Sequence, residues 1–500
     1  MIRHRAGWWL IALGVACVGV GVLLIVPSVE GEGAAERTTS TSSAKKEGPE
    51  ESSGLASAAK AVTFADPGLE EVIRKAIGRF GGQIYKTDLV GLTSLLANGR
   101  EIKSLSGIEW CVDLTSLELV FNQITDIAPL SALTGLRVLN LYHNQIIDIS
   151  PLEGFTNLTH LDLRRNQIRD FGVLSGLTSL TSLSIGDTAI GDIGPVFGLT
   201  NLTRLHLEAY EIRDLNLLLR FPNLTRIGLT GNQISDIGAL SGFPNLTGLS
   251  VSHNPISDIS ALSGLTQLTY LHLESNQIRN ISALSGLTNL TMLVLNSNQI
   301  SDIAPLSGLA NLTLIGLTDN QIRDISPLAG LTGLKRLVLS KNQIRNISAL
   351  AGLTALERLQ LSDNEVQNIN PLSGLSSIRF LDLDGNQISD IAPLAGLTAL
   401  ESANLDDNLI ADFRPLVDNR GLAEGDRVTV KGNPLSFEAY HFQIPALQAQ
   451  GVKVSYDRRY GRDPLGASES RQTVSKPHGP DSDAGGLNDG EEHNETWRTR

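Results

Sequence analysis

Through most of the chain, leucines alternate with polar residues over a short stretch, and aliphatic residues then return at every third position. The figure repeats with a period of 22 residues. One copy runs Leu114, Leu117, Leu119, Asn122, Ile124, Ile127, Leu130 and Leu133. The alternation predicts a short strand with Leu117 and Leu119 pointing inward. The spacing after it predicts a tight return limb, with Asp126, ahead of Pro129, capping a short turn of helix. Burying the seven aliphatic side chains of one coil contributes roughly 1.5–3 kcal/mol each in gross terms, and chain entropy cancels most of that. A single coil cannot close a core and needs neighbours on both sides. The pattern therefore predicts a curved α/β solenoid, with a parallel sheet on the concave side and return limbs on the convex side.

Counted from Leu92, fifteen units fit before about residue 421, and no insertion breaks the frame. Fifteen strands stacked about 4.8 Å apart would make a sheet roughly 65–70 Å long. The asparagine after each strand recurs as Asn122, Asn144, Asn166, Asn232, Asn254, Asn276, Asn298, Asn320, Asn342, Asn364, Asn386 and Asn408. An amide both donates and accepts, so it suits a bend that leaves backbone groups unpaired, and stacking predicts a ladder of such amides. Two successive units carry Thr188 and Tyr210 in that slot. A phenol ring does not fit an inward amide's place, so the Tyr210 turn must rearrange or expel it. Repeat decay and a distortion that shapes a partner site both fit this break. N-L-T glycosylation sequons begin at Asn157, Asn201, Asn223, Asn245, Asn289 and Asn311, all at one repeat position, so the frame explains them without sugar.

The ends read differently. Arg3 and Arg5 precede an uncharged run from Trp8 to Val26, long enough as a helix to cross a bilayer at about 1.5 Å per residue. Residues 1–27 are read as a signal-anchor in preference to a cleaved signal peptide, with a lipid anchor on Cys17 the weakest alternative. Charge on the two sides of the run predicts that everything after it is exported. Residues 28–60 and 458–500 are polar and read as a disordered linker and a disordered tail. Between them, residues 61–91 read as an N-terminal cap, with Asp66 as N-cap, Pro67 at the first helical position and Leu69, Val72, Ile73, Ala76 and Ile77 as its apolar face. Residues 422–457 read as a C-terminal cap. There Val428, Val430, Asn433, Pro434 and Leu435 begin an altered turn, followed by a helix around Glu438–Gln450 and a strand at Val452–Tyr456.

The N-Q-I-x-D-I-x-P-L frame, the Phe64-x-Asp66 cap with Leu69 and Ile73-Arg74, and the Gly432-Asn433-Pro434-Leu435 ending strongly resemble the internalin-type leucine-rich repeats of bacterial surface proteins. The likeness covers about residues 62–457. It implies a curved leucine-rich-repeat solenoid that binds a protein or a glycan on its concave face, commonly at a bacterial surface. The chain has no L-P-x-T-G sorting motif, which departs from wall-anchored members and would leave anchoring to the N-terminal run.

The outward residues of the strands are the expected binding face: Tyr142, His160, Arg164, Arg204, His206, Glu208, Tyr270, His272, Met292 and Phe380, with Arg226, Glu274, Val294, Arg336 and Arg358 beside them. Arginine, tyrosine and a few apolar groups are the mixture found at interface hot spots. Arginines are expected to gather in the first half and Asp382, Asp384, Asp406 and Asp407 near the end. His206 and Glu208, or His272 and Glu274, supply too few converging ligands for zinc, and the aspartates read as an acidic surface in preference to a calcium site, so no metal or other cofactor is expected. A net charge of −13 argues against nucleic acid as partner. No H-E-x-x-H, G-x-S-x-G, P-loop or paired-cysteine motif is present, and the expectation is a non-catalytic recognition or adhesion module, membrane-tethered or secreted. The alternatives are a structural or sensor part of a surface assembly, or an intracellular regulator of an enzyme such as a phosphatase.

Overall fold

The computed structural model describes residues 60–186 and 193–457. The N-terminal run with its linker, the tail from residue 458 and Thr188 lie outside the described residues. No helix among the described residues is long and apolar enough to cross a membrane.

The repeat folds as a curved leucine-rich-repeat solenoid. Seventeen strands, from Ser94–Leu96 to Lys453–Ser455, join in parallel, each beside the strand of the next coil. Fifteen of them start at 22-residue intervals, from Ser94 to Ser402. The last two, Arg427–Thr429 and Lys453–Ser455, follow at wider spacing. The sheet is open, since its first and last strands each pair along one edge. Register is set coil to coil by side-chain identity: Leu117 pairs beside Leu139, and Leu271 beside Leu293. In the copy from Leu114 to Leu133, all seven aliphatics are 0–1% exposed, and one continuous core runs from cap to cap. Cys111 sits in that core, where burial and then Glu109 push its thiol up to about 12, so it stays protonated.

Three hydrogen-bond ladders tie the coils. The first is the amide ladder. Asn144 donates through Nδ2 to Leu119 O of the preceding coil (2.9 Å) and Leu141 O of its own (3.1 Å), while its Oδ1 accepts from Ile124 N (3.1 Å). The second runs along the strand entrances, where Thr203 Oγ1 donates to Thr181 O and Thr225 Oγ1 to Thr203 O, at 3.1 and 3.2 Å. The third comes from the sequon asparagines: Asn157 Nδ2 donates to Thr134 O and Asn201 Nδ2 to Thr178 O. Both polar residues of N-L-T therefore have structural partners. The return limbs are short 3₁₀ turns, and Asp126 Oδ1 accepts from Ala128 N at 2.8 Å, one residue ahead of the helical cap itself.

At the N-terminal end, Asp66 does two jobs. Oδ1 caps helix Pro67–Ala76 at Gly68 N (2.9 Å), and Oδ2 accepts from Lys103 N of the first coil (2.8 Å). Leu69, Val72 and Ile73 are buried, whereas Ala76 is exposed and leaves the apolar face shorter than expected. Gly107 is required here, since its φ is +106° and a Cβ would come within 2.7 Å of Thr63 O. At the other end, Asn433 continues the amide ladder by accepting from Ile410 N (2.9 Å) and donating to Leu405 O (2.8 Å). The expected helix there is two pieces, a π-turn at Ala439–Gln443 running into helix Ile444–Ala449.

Candidate recognition face

Each strand turns three alternate positions outward, and the parallel register aligns them into three rows across the coils. His160, Ser182, Arg204 and Arg226 follow one another in the first row, and Asp162, Ser184, His206 and Gly228 in the second. Arg164, Gly186 and Glu208 belong to the third.

The densest polar network joins these rows. Arg164 donates to Asp162 from Nε (3.1 Å) and Nη2 (2.7 Å), and its Nη1 lies 3.6 Å from Glu208 Oε2. Arg164 and Glu208 stand two coils apart, with Gly186 between them. A Cβ on Gly186 would come within 2.5 Å of Glu208 Cβ and 2.7 Å of its carbonyl oxygen, so the missing side chain lets Glu208 lean across. Arg164 is 5% and Glu208 4% exposed. The sequence placed both among partner-facing residues. The structure buries them together, with Arg164 on Asp162 and Glu208 beside it, and a buried charge keeps its ionised form through such contacts.

Around this network stand aromatic rings. The Arg164 guanidinium lies 5.2 Å from the Tyr142 ring, which meets Phe121 edge-on at 5.3 Å. Phe121 is exposed at the strand end, and His143 lies against it at 4.8 Å. Burial pushes the Tyr142 phenol up, and the charges of Arg165 and Arg164 oppose that shift.

His206 packs over Gly228, where a Cβ would sit 2.4 Å from the imidazole Nδ1. Burial, and then the Arg164 charge, push His206 down to about 3, so the ring is neutral at physiological pH. His160 is lowered for a like reason, burial first and Arg204 second.

Three coils further on, one strand carries a linked trio. Tyr270 Oη lies 3.1 Å from His272 Nδ1, and His272 Nε2 lies 3.0 Å from Glu274 Oε2. Burial pushes the Tyr270 phenol up to about 12, against the hydrogen bond it shares with Ser250. A phenol that keeps its proton so firmly is neither base nor nucleophile at neutral pH. The chain of bonds holds the Tyr270 ring in one orientation on the face. His272 is itself buried beneath it, and Val294 is also buried; Met292 and Phe380 are half-buried and reach solvent.

The arginines gather only in part in the first half. Of the five outward arginines, Arg164, Arg204 and Arg226 stand in the first half and Arg336 and Arg358 in the second, with Arg204 beside Arg226 and Arg336 beside Arg358. Arg204 and Arg358 are each lowered by burial and then by the adjacent arginine. Near the end, burial and then Asp382, Asp406, Asp407 and Asp363 push Asp384 up to about 6. Among the described residues no three metal-ligating groups converge. Asp162, Gly186, Gly228 and Phe121 escaped the sequence reading. An outward glycine inside a strand is the signal that could have found two of them, since it marks a close approach.

The family model for leucine-rich repeats (two copies) matches residues 112–154, 134–179, 156–197, 222–264, 244–286, 288–330 and 332–374. Among solved structures, the chain is similar to an internalin (inlF) of Listeria monocytogenes at 34% identity, over 68% of this chain and 95% of that one, with a TM-score of 0.48. It is similar to the functional domain of InlJ from the same organism at 24% identity, over 75% and 83%, with a TM-score of 0.52. A leucine-rich-repeat protein of Leptospira interrogans follows at 19% identity, over 74% and 97%, with a TM-score of 0.53. The last two likenesses speak to the fold alone. No curated protein matches the chain.

Proposed function

Because this chain belongs to the leucine-rich-repeat family and is internalin-like, we propose that it is a non-catalytic recognition module that binds a partner protein across its sheet face. The observation that carries this reading is the face itself. Seventeen parallel strands hold rings and guanidinium groups in fixed rows, and inward leucines such as Leu271 and Leu293 that alternate with them are committed to the core. Such a platform loses little side-chain freedom on binding, and Tyr270, Met292 and Phe380 are the residue types that anchor interfaces. Where reaction-bearing groups meet at Tyr270, His272 and Glu274, the phenol keeps its proton and the bonds fix the ring on the face, which favours positioning over chemistry.

We also propose export, with the Trp8–Val26 run as tether. Arg3 and Arg5 before that run, and its length, support this topology. Secretion after cleavage is the alternative. Protease digestion of intact host cells tests it: export requires degradation of the repeats without lysis, and digestion only after lysis would reject it.

A photo-crosslinking amino acid placed at Met292, on the sheet face, or at Ser285, on the return limb, tests the binding face. Protein adducts in the host from position 292 but not 285 are expected. Adducts from 285 alone would move the site to the convex side.

A further inference from the structure

The first outward row has an order that the rest of the sheet lacks. Arg204 and Arg226 stand side by side, then Gly248, then Tyr270, Met292 and Leu314, and then Arg336 beside Arg358. Two like charges on neighbouring strands repel, and directly opposed like charges destabilise a sheet. Among the described residues none of the ion pairs includes any of these four arginines. Each pair is therefore a doubly cationic post that the fold itself does not neutralise. The stretch between the posts is apolar.

We propose that this row is a track for an extended acidic segment of a partner protein, with carboxylates clamped at each arginine pair and an apolar stretch lying over Tyr270, Met292 and Leu314. The proposal rests on the reading that the sheet face binds protein, and it names the chemistry of what binds. Guanidinium forks grip carboxylates in bidentate fashion. The Arg358 guanidinium is already stacked 4.6 Å from the Phe380 ring, which limits what it loses on ordering. The centres of the two posts are six coils apart by register, about 29 Å at about 4.8 Å per strand, and an extended segment needs about nine residues to span it at about 3.3 Å each. A nucleic-acid strand fits less well, since Asp382 and Asp384 stand by the far end of the track and the whole chain is acidic at −13.

The test uses the full chain and a fluorescein-labelled peptide with Glu-Glu at each end and seven intervening residues that include leucine and phenylalanine. Fluorescence anisotropy should show saturable binding that weakens with salt. Arg204→Glu with Arg226→Glu, and separately Arg336→Glu with Arg358→Glu, should each weaken it tenfold or more. The milder alanine pairs, which leave the exposed face uncharged, should weaken it in the same order and guard against a folding defect, checked by circular dichroism. Cutting the spacer from seven residues to three should cost a similar factor. Absence of saturable binding, equal affinity for the short spacer, indifference to both arginine pairs, or tighter binding of a ten-nucleotide single-stranded RNA would each overturn the track. If the peptide fails while crosslinks from position 292 persist, the binding face stands and only its acidic ligand falls. If both fail, the reading of the face falls too.

Discussion

The coils after Asn254 and the coils that bracket Tyr210 are built from the same repeat, and they solve the turn after the strand in different ways. In the regular stretch one amide serves two coils: Asn298 donates to Leu273 O (3.0 Å) and Leu295 O (3.1 Å) and accepts from Ile278 N (3.0 Å). Strands there are three residues long. At the break, Ser182–Gly186 and Arg204–Glu208 pair through five positions. Ala209 and Glu211, on either side of Tyr210, both take positive φ, at +55° and +57°. The next rung compensates, since Asn232 Oδ1 accepts from both Tyr210 N and Ile212 N at 3.0 Å. The ring is not expelled; it packs half-buried against a core that stays closed, with Leu207 at 0% and Ile212 at 8% exposure. Arg100 occupies the same slot in the first coil and does the same, with positive φ at Gly99 and Glu101 and its N–H, together with that of Ile102, on Asn122 Oδ1. The amide thus sets the turn, whereas the leucines alone keep the core continuous. The longer strands accompany the buried Arg164–Glu208 contact across Gly186, so the irregular coils carry the most elaborate part of the face.

The largest effect that would sharpen this contrast is loss of a rung. Asn298→Ala leaves Ile278 N without its acceptor in a buried turn and removes one of the two amide donors at Leu273 O and at Leu295 O, and should cost about 3–5 kcal/mol in urea unfolding. Tyr210→Ala, which loses only half-buried packing, should cost about 1–2 kcal/mol. Equal losses would mean that the amide is not what holds the regular turn.

Next come the glycines. Gly186→Ala drives a methyl group into Glu208 backbone and should cost about 1–3 kcal/mol. Gly264→Ala, which meets nothing within 4 Å on its return limb, should be neutral or stabilise by about 0.4–1 kcal/mol. A harmless Gly186→Ala would remove the explanation for the buried ion pair.

The smallest effects are of opposite sign at the two ends of the face. His206 titrates near 3 when folded and near 6.5 unfolded, so the unfolded chain takes up a proton the fold refuses, and stability falls as pH drops through that window. His206→Gln should flatten the acid limb by on the order of 1–2 kcal/mol. Asp384 titrates near 6 when folded against 3.8 unfolded, so stability falls as pH rises between those values. Asp384→Asn should stabilise at pH 7 by a few tenths of a kcal/mol, since solvent screens this group, and should do nothing below the unfolded value. Thermal unfolding of each variant across pH checks both signs.

Much of this architecture was legible in the chain. The 22-residue frame, the inward leucines and the amide ladder all depend on contacts that recur within a coil or at one fixed step to the next. What stayed hidden depends on lateral contact between unlike side chains. Glu208 reads as an outward residue until Gly186 is seen beside it. N-L-T reads as a sequon motif until its threonine and asparagine find carbonyls one coil back. Asp66 reads as a helix cap, and its second oxygen reaches the first coil 37 residues on, which no local pattern reports. The arginines were visible as residues, but that four of them stand as two pairs is a matter of register.

Backbone amide exchange in the native protein tests the rung most directly. Ile278, Ile300 and Ile322 each donate to an asparagine oxygen of their own at 3.0 Å, while Tyr210 and Ile212 share one. The first three should exchange at least tenfold more slowly than the last two, a gap of about 1.4 kcal/mol in opening free energy. Equal rates, or faster exchange in the regular coils, would contradict a stack held coil to coil by its amides.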